Sequence, residues 1–77
     1  MDERERAKKD IDKLGAIIVE FCSFGFDKKY PEPLDWAKNY LKDSKHFYDK
    51  KDYFTSFGAA NYAYGIIDVL LILEKKK

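Results

Sequence analysis

The chain has little of what chemistry usually requires. Its 77 residues include one cysteine, Cys22, and one histidine, His46. A single cysteine rules out a disulfide within the chain. A single histidine cannot by itself hold zinc, which takes three or four ligands. No metal and no cofactor is expected. Net charge is also scarce. Lysine and arginine number 15 against 14 aspartates and glutamates, a formal charge of +1. Dedicated nucleic-acid binders usually carry a strongly basic surface, so that class of partner is not expected. The same balance removes most of the charge repulsion that opposes self-association. The densest apolar stretch, Ile66 to Leu73, falls short of the roughly 20 residues that cross a bilayer. No membrane partner is expected. The opening MDERERAKKD lacks the apolar core of a secretory leader. The expectation is a soluble cytoplasmic protein, one domain over residues 1–77, with no internal repeat.

Hydrophobic residues make up 45% of the chain and aromatics 17%, enough to build a core. Their spacing is helical. Ala7, Ile11, Leu14, Ile18, Phe21 and Gly25 recur at steps of three and four, the seam of a packed helix. This predicts a helix over about 2–26, with Asp2 accepting the first orphan amides. The prolines of Tyr30-Pro-Glu-Pro33 mark a connector, and Pro33 suits the first turn of the next helix. Leu34, Ala37, Leu41, Ser44 and Tyr48 carry that helix over about 33–50. Trp36, Tyr40 and Phe47 widen its stripe. A very short link then forces a hairpin, and Asp52 caps a third helix over about 52–75. The expected fold is all-α, an up-and-down three-helix bundle.

The third helix carries the most information. At 100° per residue, Phe57, Ala60, Tyr64, Ile67 and Leu71 form one apolar ridge. Ala59, Ala63, Ile66, Leu70 and Leu73 form another. A third row mixes Phe54, Gly58, Asn61, Gly65, Asp68 and Ile72. A helix apolar nearly all round is buried on several sides. A bundle of three needs only one broad stripe from each member. The surplus at Ile66, Val69, Leu70, Ile72 and Leu73 therefore predicts a contact outside the chain. The favoured reading is an interaction module, pairing with itself as a homodimer or with another protein.

The alternative is a small-ligand or nucleotide site in a polar notch. Asn61 and Asp68 share a helix face with Gly58 and Gly65 between them, and Tyr40, Asp43 and Tyr64 lie within plausible reach. The plainer account of the pair is a satisfied network, with Tyr40, Tyr62, Tyr64 or Ser44 supplying the hydrogen bonds. No catalytic constellation accompanies it. Cys22 lies among aromatics with no base beside it, as a core-edge thiol does. His46 has only Asp43, three residues earlier, as a possible partner.

The run NYLKDSKHFYDKKDYFTSFGAANYAYGIID, Asn39 to Asp68, resembles an archaeal family, the domain of unknown function numbered three hundred and fifty-seven. Asp52-Tyr53, the segment Phe57 to Gly65 and Asp68 are its most specific parts. The resemblance implies an archaeal source, an up-and-down three-helix bundle and no assigned active site. The family pattern commonly has glycine before the Asp-Tyr pair, where this chain has Lys51. A left-handed residue often ends a helix at such a point, so a lysine forced into that conformation is expected.

Overall fold

A computed structural model describes all 77 residues, Met1 to Lys77. It is all-α and 84% helical, with no strand. Four helices follow one another: α1 (Glu3–Ser23), α2 (Phe26–Lys29), α3 (Pro31–Asp49) and α4 (Tyr53–Leu73). Three are long and one is a single turn. A helix of 21 residues is about 31 Å long, so the long helices fill the molecule's longest dimension of 35 Å.

The cross-chain contacts fix the directions. Arg6 meets Phe57, Asp10 meets Asn61 and Lys13 meets Tyr64. Both partners advance together, so α1 and α4 run in parallel. Ser44 meets Ser56 and Tyr40 meets Tyr62, so α3 runs against α4. Both α1 and α3 pack extensively on α4 and less on each other.

The seam of α1 is buried where its spacing requires: Ala7, Ile11, Leu14, Ile18 and Phe21, joined by Ile17 and Asp10. Asp2 Oδ1 accepts the Glu5 amide at 2.8 Å and caps the helix. From α3 come Leu34, Ala37 and Ser44, and from α4 come Ser56, Ala60, Ala63, Ile67 and Leu71. Ser56 Oγ donates to the Ser44 carbonyl at 2.7 Å inside the α3–α4 contact.

The first connection differs from the expected pattern. The first helix stops at Ser23 and not near Phe26, because Gly25 takes φ 79 and turns the chain. The segment read as a breaker forms the extra turn α2. Phe26 and Tyr30 hold that turn, with ring centroids 5.5 and 6.1 Å from Phe21. The next helix begins at Pro31, two residues before Pro33. Both prolines fit a first turn, whose amides have no helical partner in any case.

The hairpin link confirms the left-handed lysine. Lys51 has φ 65. Its amide donates to the Tyr48 carbonyl at 3.0 Å and the Asp52 amide to the Phe47 carbonyl at 2.9 Å. These two bonds make a Schellman closure. Asp52 Oδ1 then caps α4 by accepting the Thr55 amide at 3.2 Å. The same closure ends α4 at Lys75, φ 59, with Lys75 donating to Ile72 and Lys76 to Leu71.

A lysine in the left-handed region costs about 1 kcal/mol relative to glycine. Lys51→Gly is therefore expected to raise Tm by about 4 °C or more. Thermal unfolding followed by circular dichroism checks this. An unchanged or lower Tm would show that the positive φ carries no cost there.

Candidate functional site

α4 is covered on one side only. The side chains it buries, Ser56, Ala60, Ala63, Ile67 and Leu71, advance by four, three, four and four along one stripe. Away from that stripe Phe54 is 70% exposed, Tyr62 56%, Val69 54%, Ile72 51% and Leu73 69%. The division does not follow the two ridges read from the sequence. The first ridge contributes Ala60, Ile67 and Leu71 to the core, and Phe57 and Tyr64 stay half-buried. The second contributes Ala63, keeps Ala59, Ile66 and Leu70 half-buried and leaves Leu73 in solvent. The outward surface is instead centred on Val69 and on Phe54, Gly58, Gly65 and Ile72 of the mixed third row. The cause lies in α1, which settles on the flank that carries Phe57, Asn61 and Tyr64.

Gly58 and Gly65 are exposed on this outer face. A Cβ added at either would meet nothing within 4 Å. No neighbour within the chain requires a glycine at these positions. Between Asp52 and Glu74 the only charged residue is Asp68. Taken whole, α4 is long and apolar enough to cross a bilayer by length and composition. Counting only Ile66 to Leu73 understated it. Its buried stripe, however, is already packed against α1 and α3.

The five polar candidates fall in three places: Asn61 alone, Asp68 with Tyr64, and Tyr40 with Asp43. Asn61 Nδ2 donates to Asp10 Oδ2 at 2.9 Å. Asp10 is only 9% exposed, and Arg6 Nε stands 3.8 Å from the same oxygen. Asp68 accepts from Lys77 Nζ, which also donates to the Tyr64 hydroxyl at 3.3 Å. The hydrogen bonds expected from Tyr40, Tyr62, Tyr64 or Ser44 are thus supplied by Asp10 and Lys77. Tyr40 packs between Trp36 and Tyr62, at centroid distances of 6.3 and 5.0 Å. Asp43 is exposed at the edge of a shallow cavity with Trp36, Asn39 and Tyr40. His46 packs edge-on against Phe47 and takes no part in the four ion pairs.

Sequence reasoning missed Asp10. The signal was present, because Asp10 falls on the apolar stripe of α1, three after Ala7 and four before Leu14. A carboxylate on a buried stripe needs a partner. It also missed the clamp at the far end of α4. Lys29 Nζ donates to both Glu74 oxygens at 2.8 and 2.7 Å, and the Tyr30 hydroxyl donates to Oε2 at 3.0 Å. The bond from Lys29, then that from Tyr30, holds the Glu74 carboxyl below its ordinary range. The carboxylate in turn pushes the Lys29 ammonium and the Tyr30 phenol up.

With this geometry the chain can be placed among known proteins. It is a small all-α protein with an uncovered apolar helix face and no assembled catalytic set. The family model described as protein of unknown function (DUF357) matches residues 23–75, and the chain belongs to that family. No curated protein and no solved structure matches it.

Two outcomes follow. Asn61→Ala leaves the nearly buried Asp10 with only the distant Arg6, so stability should fall by roughly 1–3 kcal/mol. Urea unfolding with an unchanged m value reads this directly. Glu74 has a folded pKa below its ordinary 4.5. Its contribution is present above that value and lost as pH falls through the depressed one. Glu74→Gln should therefore lower the urea midpoint at pH 7. The gap between variant and wild type should close as the pH is taken below about 4. A gap that stays constant with pH would mean the carboxylate is not the stabilising species.

Proposed function

We propose that this protein is an interaction module, a cytoplasmic three-helix bundle that pairs with a second copy of itself through the outer face of α4. The observation that carries this reading is the uncharged outward run Phe54, Tyr62, Val69, Ile72 and Leu73, with Gly58 and Gly65 open beside it. Those five side chains leave on the order of 600 Å² of apolar surface, the upper end of what a monomer's largest patch exposes. A symmetric pair would remove roughly 1,200 Å², the lower bound of specific interfaces. A two-fold arrangement lets the same patch cover itself. Glycines on a helix face allow the partner helix to come close. The archaeal source implied by the family resemblance belongs to this reading too.

The small-ligand or nucleotide reading has less support. Asn61 is already bonded to Asp10 and Asp68 to Lys77.

Light scattering after size exclusion tests the pairing. A dimer is expected at concentrations of tens of micromolar and above. Gly65→Leu is the discriminating variant. Its side chain enters open space in the single chain and removes a helix-weakening glycine, so the folded monomer should gain about 1 kcal/mol. The same bulk should weaken the pair at least tenfold. A wild-type monomer at several hundred micromolar, or a Gly65→Leu chain that pairs as well as wild type, would overturn the proposal.

A further inference from the structure

The molecule uses its own cations to cover several of its aromatic rings. Arg6 lies 4.5 Å from the centroid of Phe57, Lys13 4.7 Å from Tyr64, Lys29 5.5 Å from Tyr30 and Lys76 4.9 Å from Phe24. An aromatic set on the α3 side carries no such cover. Trp36 and Tyr40 on α3 and Tyr62 on α4 form a continuous set, and Trp36 is 56% exposed.

This set separates two adjoining shallow cavities. One, of about 330 Å³, is lined by Glu32, Pro33, Trp36, Tyr62 and Ile66. The other, of about 230 Å³, is lined by Trp36, Asn39, Tyr40 and Asp43. Neither lining contains a lysine or an arginine. Glu32 and Asp43 take no part in the molecule's four ion pairs. They are eleven residues apart, three full helical turns, so they lie on one stripe of α3 about 16 Å apart, with Trp36 between them.

We propose that this groove docks an extended polypeptide segment presenting two cationic side chains, arginine or lysine, four positions apart and so on one face of the segment. Charge complementarity selects the cation. Two free carboxylates border rings whose negative faces attract an ammonium or guanidinium group. The shape selects a polypeptide. Both cavities are shallow, whereas small-ligand sites enclose most of their ligand. Side chains of an extended chain alternate between its two faces, so only an even spacing turns both cations to the groove. Four steps of about 3.3 Å span about 13 Å, and the long cationic arms cover the remaining distance between Glu32 and Asp43. The proposal goes beyond self-pairing; the two surfaces share Tyr62, so the Gly65→Leu chain, whose pairing is weakened, tests the groove by itself.

Trp36 is the only tryptophan, so intrinsic fluorescence reports the groove directly. The probe is a capped pentapeptide with arginine at its first and fifth positions and neutral residues between. Its control carries citrulline at both positions, nearly the same shape without the charge. Titrations use the wild type and the Gly65→Leu chain, so that pairing through α4 cannot mask the site. A saturable change is expected with the arginine peptide in both chains, with the citrulline peptide at least tenfold weaker. Glu32→Gln combined with Asp43→Asn changes two surface positions outside the ion pairs and should leave the far-UV dichroism intact. It should weaken the arginine peptide about tenfold. Three results would overturn the proposal: no saturable response up to several millimolar, a citrulline peptide that binds within twofold, or free argininamide that binds as tightly as the peptide. None of them bears on the oligomeric state read by light scattering.

Discussion

The contact between Ser44 and Ser56 sets the shape of the molecule. Ser56 Oγ donates to the Ser44 carbonyl at 2.7 Å, and both residues are fully buried. Around them Ala37, Ala60 and Ala63 are also fully buried. Small side chains at all five positions let α3 and α4 approach closely, and a hydrogen bond to a backbone carbonyl fixes the height at which they cross. The size distribution along α4 follows from this. Near its start the core side carries serine and alanine, and the bulk of Ile67 and Leu71 comes later. Several of its large side chains, Phe54, Tyr62 and Val69 among them, point elsewhere. A helix that packs its small residues inward leaves apolar area outward that no other part of the chain covers.

Closure of both ends depends on capping in place of burial. α3 and α4 each stop at a lysine held in the left-handed region, Lys51 and Lys75, and in each case two backbone bonds recover carbonyls that the helix end leaves free. The strain at Lys51 is tolerated because the turn also delivers Asp52 to the start of α4, where its carboxylate caps the next helix. At the other end, Glu74 follows α4 directly and receives Lys29 and Tyr30 from the α2 segment. That clamp ties the irregular connection to the end of the helix on which α1 and α3 pack.

Much of this was legible in the sequence, and the reason is locality. The α1 seam, the Asp2 and Asp52 caps, the hairpin and the conformation of Lys51 depend on residues within a few positions of one another. What stayed hidden depends on partners far along the chain. The segment that holds the turn at Phe26 to Lys29 is clamped by Glu74, 45 residues from Lys29 and 44 from Tyr30. Asn61 finds its acceptor 51 residues away, in Asp10. The outward side of α4 could not be chosen from periodicity. A helix that is apolar nearly all round has no strong preference of its own, and the flank that α1 covers decides the matter.

Net charge conceals how the charges are arranged. The chain is nearly neutral, yet the surroundings of α4 fall into three strips. On the α1 side, Arg6, Lys13 and Lys77 lie over Phe57 and Tyr64, so cations and rings satisfy one another within the chain. The outer strip carries no charge of its own, and Asp68 at its edge is paired with Lys77. On the α3 side, the rings of Trp36, Tyr40 and Tyr62 lie beside carboxylates that pair with nothing. An exposed aromatic ring is stabilised either by burial or by a cation over its face. The first strip has its cations, while the second and third have neither cover nor cation from within the chain. That asymmetry separates a self-contained side of the molecule from two sides whose apolar side chains and rings the chain itself leaves without cover.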